Sequence, residues 1–303
     1  MTTAEDTSRQ EEANGNDRFS PNLDRRHRFG GIAQGVFFVS TIFGLIVLGL
    51  LLFDVIRDGY NWLSMEFLAN NPSSRPSASG IKSALVGSVY LILLTALISV
   101  PIGVASAVYL EEYASEGWFR RLIQVNIANL AGVPSVVYGI LGLSLFVRFA
   151  ALGRSLLAGA LTMGLLILPV IIVAAQEALR AVPRGVRESA YALGATRWQV
   201  IRGHLLPIAL PGILTGVILS LSRAIGETAP LIIIGALTSA RFLPRGILDT
   251  FSALPIQIFH WTSRPQAEFH ALAAAGIIVL MAVMLLLNLT AILLRNYFET
   301  QRV

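Results

Sequence analysis

The chain has no cysteine and little charge: 14% of its 303 residues are Asp, Glu, Lys or Arg, where soluble domains average about 25%. The absence of Cys excludes disulfide bonds, thiolate nucleophiles and zinc sites with Cys ligands. With 4 His and no HExxH-like pair, a metal site is not expected. The hydrophobic content of 54% and the mean hydropathy of +0.67 exclude an ordinary cytosolic enzyme and indicate an integral membrane protein.

Six apolar runs are each long enough to cross, as a helix, a bilayer core about 30 Å thick. They cover residues 32–53, 83–110, 122–147, 155–175, 211–237 and 271–294. Unpaired backbone groups are costly in hydrocarbon and the runs show no period-two alternation, so helices are predicted and not a barrel. The expected fold is all-α, a polytopic membrane protein with six transmembrane helices.

The distribution of Lys and Arg predicts how these helices are oriented. With the N-terminus inside, the inner segments carry 14 of these residues and the outer segments carry 8. Because positive residues favour the cytoplasmic side, both termini are expected in the cytoplasm. The net charge of +5 is then a topology signal, so membrane lipid is an expected partner and nucleic acid is not.

The same reading divides the chain into four parts. Residues 1–31 form a cytoplasmic tail and the flank of the first span, with disorder expected over 1–22 because that stretch is polar. Residues 32–82 hold the first transmembrane helix and an outer loop, and residues 83–294 form a core of five helices. Residues 295–303 are expected to be a cytoplasmic C-terminal tail.

A long cytoplasmic segment, residues 176–210, separates the fourth and fifth predicted spans. Pro183 favours a helix start, and Gly194 can end that helix in the left-handed conformation. Thr196 begins a second short helix through a capping box, and Pro207 is expected to close it. The predicted product is a helix, a glycine bend and a second helix.

This segment has the features of a docking element. Ser189, Ala190 and Gly194 keep one surface small, so that a partner backbone could approach closely, while Tyr191 and Trp198 offer aromatic anchors. The alternative is an amphipathic helix lying on the membrane surface, which the flanking basic residues would suit. An interfacial helix would need neither the glycine bend nor the small surface, so docking is the preferred interpretation.

Two charges, Arg223 and Glu227, lie inside the fifth apolar run. They are four residues apart and are predicted to pair on one helical face. Each charge costs about 2.5–3.5 kcal/mol near mid-membrane, so they are expected to face a pathway and not lipid. A guanidinium matches a tetrahedral oxyanion, and Gly226 and Pro230 can loosen the helix there. The alternative is a buried ion pair that only fixes helix packing.

Three further segments have less specific interpretations. Gly132 and Pro134 permit a kinked helix, to which no site is assigned. A short inner loop is predicted to be a solvated charged turn, with contact to an ATPase as the alternative; its charged residues are Glu111, Glu112, Glu116, Arg120 and Arg121. In the outer segment, membrane-interface positions are expected for Phe259, His260 and Trp261.

Residues 188–194 (ESAYALG), followed after eleven intervening residues by Leu206-Pro207, resemble the EAA loop of importer-type ABC permeases. Ser189 stands for the second Ala of that pattern, and His204 occupies its Ile position. Four further stretches are similar to the permease subunits of bacterial phosphate importers, the PstA family. They are residues 129–139 (NLAGVPSVVYG), 222–231 (SRAIGETAPL), 254–258 (LPIQI) and 263–272 (SRPQAEFHAL).

The resemblance covers nearly everything after about residue 80 and implies a type I ABC importer permease fold with a cytoplasmic coupling helix. It implies that the EAA loop, with Glu188, Ser189, Ala190 and Gly194, sits in a cleft of the ATP-hydrolysing subunit. It also implies that Arg223 and Glu227 take part in phosphate passage.

The partners implied by the resemblance are a PstC-like second permease subunit, a dimer of PstB-like ATPases and an external PstS-like phosphate-binding protein. No GxxxxGK[ST] occurs in this chain, so it is not expected to cradle ATP phosphates itself. ATP and Mg²⁺ are expected on the partner ATPase, and no cofactor and no enzymatic activity are expected here.

Three alternatives stay open from the sequence. One is an ABC permease for another oxyanion, such as sulfate, molybdate or phosphonate, for which the 222–231 stretch would be unexpected. A second is an ion-gradient-driven secondary transporter with a Pro-broken helix, which would have no ATPase for the cytoplasmic loop to engage. A third is a membrane-embedded enzyme, for which no nucleophile and base at motif spacing are found.

Overall fold

The computed structural model describes residues 23–237 and 239–300, and this part of the chain contains helices and no strands. The predicted disordered tail, residues 1–22, lies outside the described residues. The α-helices of the described part are, in chain order, α1 Leu23–Gly59, α2 Met65–Ala69, α3 Lys82–Val108, α4 Trp118–Ala131, α5 Ser135–Gly142, α6 Leu156–Arg180, α7 Arg184–Ala192, α8 Arg197–Val200, α9 Leu206–Gly226, α10 Ala229–Ile234, α11 Leu254–Thr262 and α12 Ala267–Thr300.

The chain divides into two units, residues 1–54 and residues 55–303. In the described residues, the first unit is the greater part of helix α1, which contains the predicted first span and begins nine residues before it. The second unit contains all the other helices. Wider π turns extend three of these helices: Tyr109–Tyr113 follows α3, Leu143–Phe149 follows α5 and Ile201–Leu205 precedes α9.

Helix α6 is the centre of the second unit. In its most apolar stretch 67% of the residues are buried, against 6% for α12, and helices α3, α5 and α9 pack around it. Ser155 caps its first turn, since the Ser155 hydroxyl accepts the Ala158 N–H at 3.2 Å. Helix α9 lies directly on α6, because a Cβ at Gly216 would come within 2.2 Å of the Ala174 Cβ. Small residues permit such close packing of membrane helices.

The described residues contain six candidate spans if a bent pair of helices is counted as one span, and the other five are continuous helical stretches. Those five are Phe29–Trp62, Lys82–Tyr113, Leu156–Arg180, Arg197–Gly226 and Ala267–Leu293. The sixth consists of Trp118–Ala131 and Ser135–Phe149, which are bent by 104° at the break between them. Pro134 cannot donate a backbone hydrogen bond, so the helix breaks where the sequence predicts a kink.

The fifth predicted span, residues 211–237, is not one helix. Helix α9 ends at Gly226, Glu227 adopts an extended backbone with ψ of 117°, and α10 starts at Ala229. A continuous helix would leave the Gly226 carbonyl without a donor, because Pro230 has no N–H. The helix therefore stops and restarts with Pro230 in the first turn, where no N–H is needed.

The expectation that Pro207 closes a short second helix is wrong. The chain is helical without interruption over Arg197–Gly226, so the short helix runs directly into the next span. The wider π turn Ile201–Leu205 lies just before Pro207. Such a turn lets a helix pass a residue that lacks an N–H. Half of the predicted loop 176–210 therefore belongs to the helices on either side.

The predicted C-terminal tail continues helix α12 as far as Thr300, and residues 301–303 lie outside the described residues. Arg295 is the first residue of the predicted tail, and its side chain turns back toward α9. Its guanidinium donates to the Thr215 hydroxyl at 3.4 Å. The end of α12 is therefore tied to the span that carries Arg223.

A smaller core cluster includes Trp261, and it corrects the expectation that this residue lies at the membrane interface. Trp261 is only 1% exposed, and its ring lies 6.0 Å from that of Phe67, so it is a core residue. Phe259 is 50% exposed, as an interface residue would be. Burial, and then the charge of Arg264, lowers the pKa of His260 below its usual value. His260 therefore adds no positive charge near neutral pH.

Candidate functional site

Arg223 and Glu227 lie at the break between α9 and α10. Arg223 is in the last turn of α9, whereas Glu227 follows its final residue. The prediction that both share one continuous helical face is therefore wrong for Glu227. The two still pair, because the Arg223 Nε lies 3.4 Å from the Glu227 Oε1. Their side chains are 54% and 21% exposed, so the Arg223 guanidinium has donors free to face outward from this chain.

Arg223 belongs to an exposed stripe along one face of α9. Helices α6, α12 and α3 pack on other faces of α9, so the stripe is the side of this helix that the described part of the chain leaves open. The residues of the stripe are Ile208, Leu219, Arg223 and Gly226. A charge facing lipid costs about 2.5–3.5 kcal/mol, so the position of Arg223 suits a water-filled cavity or a second subunit.

Helices α5 and α10, each of which follows a break in a described helix, lie against each other beside this pair. A Cβ at Gly139 in α5 would come within 2.8 Å of the Pro230 Cα in α10, so these helices touch backbone to backbone. The Tyr138 hydroxyl donates to the Leu130 carbonyl at 2.8 Å and so bridges the bend between α4 and α5. Arg223 lies close enough to Tyr138 to act on it electrostatically.

Sequence reasoning assigned no site to α5. The only local signal is the run of Gly and Pro near residues 132–139, which close helix packing explains equally well. What places α5 at the site is its contact with α10, a helix that follows it by about ninety residues. A single sequence contains no direct sign of that contact.

A polar contact with α12 fixes the rotation of α9 at the same level. Ser222, next to Arg223, donates to the Ile218 carbonyl at 2.8 Å, and its hydroxyl also contacts the Asn288 side-chain oxygen in α12. Ser222 and Asn288 line an apolar cavity of about 250 Å³ between α9 and α12. Because Ser222 is held toward α12, its neighbour Arg223 is turned to the open side.

The segment 176–210 contains the predicted helix, glycine bend and second helix. Helix α7 runs over Arg184–Ala192 after Pro183, and Gly194 has φ of +79°. The capping box is also present, since the Gln199 side-chain oxygen accepts the Thr196 N–H at 2.8 Å. The local pattern was sufficient here because caps and glycine bends depend on neighbouring residues alone.

The predicted docking residues do not all face the same way. Glu188, Ser189 and Gly194 are exposed, but Ala190 is 5% exposed and packs in the main core of this chain. Ala190 anchors α7 to its own protein, so its methyl group does not belong to the outward surface. Leu193, which sequence reasoning did not select, is 90% exposed. Tyr191 and Trp198 are also exposed.

The charged turn after α3 is solvated only in part: Glu116 and Arg121 are exposed as expected, but Glu111 and Glu112 are not. The Glu111 and Glu112 side chains are only 8% and 9% exposed. Glu111 pairs with Arg180 at 2.6 Å and with Arg120 at 3.2 Å. Glu112 pairs with Arg187 at 3.0 Å. Arginines from α4, α6 and α7 converge on the two carboxylates, and this convergence explains how the charges can be buried.

Comparisons with known proteins agree with this fold. Residues 99–302 match the family described as binding-protein-dependent transport system inner membrane component. A phosphate transport system permease protein PstA 1 of Mycobacterium tuberculosis is 34% identical over 295 residues, covering 94% of this chain and 94% of that protein. A probable ABC transporter permease protein, YqgI, of Bacillus subtilis is 32% identical over 275 residues, covering 86% and 92%.

A solved structure shows the same fold. The crystal structure of a bacterial ABC transporter involved in import of the acidic polysaccharide alginate aligns with a TM-score of 0.64 at 17% identity, covering 91% of this chain and 99% of that one. The type I ABC importer permease fold predicted by the resemblance is thereby confirmed. The chain belongs to the family of inner membrane components of binding-protein-dependent transport systems.

Proposed function

We propose that this chain is a permease subunit that carries inorganic phosphate across the cytoplasmic membrane in an ATP-driven importer. The observation that carries the proposal is a guanidinium, Arg223, exposed on the open face of a broken transmembrane helix. Relatives that cover most of the chain are phosphate transport permeases, which supports phosphate as the substrate. The anion is moved without covalent change, so this subunit acts as a pathway and not as an enzyme.

The chemistry of the pair suits a tetrahedral oxyanion. The Arg223 guanidinium keeps its charge and offers planar, paired donors to two oxygens of phosphate. When phosphate is absent, Glu227 holds the guanidinium at 3.4 Å, which is long for a charge-assisted bond. An arriving anion therefore competes with a weak contact. Glu227 also repels a second anion while the first is bound.

The partners follow from the surfaces that this chain leaves open. A PstC-like permease subunit would face the exposed stripe of α9 and complete the pathway. A PstB-like ATPase dimer, which binds ATP and Mg²⁺, would receive α7 through Glu188, Ser189 and Gly194, together with the exposed Leu193. A PstS-like protein would deliver phosphate from the outer side. Both termini are then cytoplasmic.

Uptake by the assembled transporter in proteoliposomes tests the role of Arg223. We expect Arg223→Gln to abolish ATP-driven uptake of labelled phosphate while the subunits still copurify, since the lost charge is exposed and supports no core packing. Arg121→Gln, which removes an exposed charge from α4, is the matched control and should transport normally. Normal uptake by an assembled Arg223→Gln transporter would remove this residue from the pathway.

The same vesicles separate the alternative substrates and energy sources. Unlabelled sulfate, molybdate and phosphonate are added in excess, and only phosphate should reduce the labelled uptake strongly. An imposed ion gradient without ATP should give no uptake. Equal competition by sulfate would indicate another oxyanion permease, and uptake driven by the gradient alone would indicate a secondary transporter.

A further inference from the structure

One guanidinium fastens helix α7 to two other helices. The Arg187 Nη1 donates to the Val182 carbonyl at 3.0 Å, and its Nη2 donates to the Leu179 carbonyl at 2.8 Å. The Nη2 and the Nε also reach one carboxylate oxygen of Glu112, at 3.0 and 3.3 Å. Arg187 therefore joins α7 to the C-terminal end of α6 and to the π turn that ends α3.

The surroundings of Arg187 make this fastening specific for arginine. The guanidinium is 22% exposed and its carboxylate partner Glu112 is 9% exposed, so both charges depend on each other for compensation. The Leu179 and Val182 carbonyls lie at a helix C-terminus, where the helix dipole favours a positive charge. The three acceptors are reached by three different nitrogens of the planar guanidinium, a geometry that the compact ammonium of a lysine does not reproduce.

The neighbouring carboxylate has a different role. Glu111 binds Arg120 in α4 and Arg180 in α6, and it accepts a hydrogen bond from the Gln176 side chain at 2.7 Å. These contacts join the end of α3 to α4 and α6 and do not involve α7. Glu111 therefore holds the helices of the core together, whereas Glu112 connects that core to α7.

Helix α6 connects this point to the phosphate pathway. A Cβ at Gly216 of α9 would lie 2.2 Å from the Ala174 Cβ of α6, and one at Gly212 would lie 2.8 Å from the Ala178 Cβ. No side chain separates the two helices at these positions, so α6 and α9 are expected to move together. A displacement of the C-terminal end of α6 therefore reaches the helix that carries Arg223.

We propose that the Glu112–Arg187 pair is the link that transmits displacement of α7 to α3 and α6, and thereby to the pathway. Both are positioning residues, since neither faces the exposed stripe of α9. Without the pair, α7 is held to the core by Ala190 and by the turns at its two ends. A displacement of α7 would then change only these local contacts and would not reach α3 and α6. The inference rests on the proposed function, because it requires an ATPase that acts on α7.

The number of ATP molecules hydrolysed per phosphate imported by the reconstituted transporter is the readout for this link. We expect Glu112→Gln and Arg187→Lys each to raise that number about fivefold or more, the size of a typical coupling between sites. Glu177→Gln is the matched control: it removes the charge of a 65% exposed carboxylate that pairs with Arg180, and the ratio should stay at the wild-type value. A purely structural role would lower both rates together and leave the ratio unchanged, which would overturn the proposal.

A distance measurement tests the same link without phosphate. The chain has no cysteine, so spin labels at Ser115→Cys, beside the end of α3, and Gly185→Cys, in α7, can be placed in the assembled transporter. We expect one narrow distance that ATP leaves unchanged, and a broadened, ATP-dependent distance after Glu112→Gln. The same narrow distance in Glu112→Gln would also overturn the proposal.

The two measurements distinguish a failed link from a failed function. A wild-type transporter that hydrolyses ATP but imports no phosphate contradicts the proposed function, while the label distances still test the link. A wild type that imports phosphate, with variants that keep its ATP ratio, contradicts the link alone. If Glu112→Gln does not assemble, Arg187→Lys retains the charge and provides the same comparison.

Discussion

The contact between α5 and α10 predicts that Gly139→Ala impairs transport although it adds a single methyl group. The added Cβ would lie 2.8 Å from the Pro230 Cα and 3.0 Å from the Ile233 Cβ, whereas carbon atoms prefer about 3.5–4.0 Å. Both obstructing atoms belong to or adjoin the backbone of α10, so no side-chain rotation can relieve the clash. Helix α10 must move away by up to about 1 Å.

That movement has an energetic and a functional consequence. Overpacking costs about 1–3 kcal/mol, and the better helix propensity of Ala offsets about 1 kcal/mol of this cost. The folded state is therefore retained, but the segment that carries Glu227 is displaced relative to Arg223. Where geometry is decisive, a misplacement of about 1 Å can cost up to about 100-fold in rate. We expect phosphate uptake to fall at least about tenfold.

Initial uptake rates in proteoliposomes, normalised to the amount of assembled transporter, measure this effect. Gly49→Ala is the matched control, because it adds the same methyl to a helix of a predicted span where nothing lies within 4 Å of the new Cβ. It should transport at the wild-type rate. If Gly139→Ala transports as well as Gly49→Ala, the packing of α5 on α10 does not position the charge pair.

Two further substitutions test the glycine bend after α7 and the buried carboxylate Glu111. Gly194→Ala should uncouple ATP hydrolysis from uptake, because φ of +79° costs a residue with a Cβ about 1–2 kcal/mol. Gly185→Ala, with open space around the new methyl, should leave coupling intact, and equal coupling in the two variants would contradict the strain argument. Glu111→Ala should lower the free energy of unfolding by about 1.5–3 kcal/mol, because it removes the buried carboxylate that pairs with Arg120, whereas the exposed Arg180 keeps Glu177 as a partner. Its thermal melting compared with that of Glu116→Ala, at an exposed position, measures this, and equal melting temperatures would refute it.

The features predicted correctly from the sequence are those that depend on neighbouring residues. Continuous apolar runs are sufficient for six spans, and a capping box with a glycine bend is sufficient for the α7–α8 segment. Proline was harder to interpret, because its effect depends on what surrounds it. Pro230 interrupts a span, whereas the helix passes Pro207 after a π turn.

The contacts that the sequence could not reveal join distant parts of the chain. Glu111 and Glu112 look like a solvated turn because their partners Gln176 and Arg187 follow 65 and 75 residues later. Ala190 looks like part of an outward surface because periodicity does not show which face of a short helix meets the core. In each case the error lies in the burial of a side chain, which depends on tertiary packing.

The exposure of Arg223 also determines where the pathway must be completed. A guanidinium that is 54% exposed within this chain cannot remain against hydrocarbon without a cost of about 2.5–3.5 kcal/mol. Helices α3, α6 and α12 already occupy other sides of α9. The remaining side, the exposed stripe, must therefore face either water or another protein. The phosphate path that we propose, between this stripe and a second permease subunit, would satisfy both conditions. On that proposal each subunit would supply one half of the site.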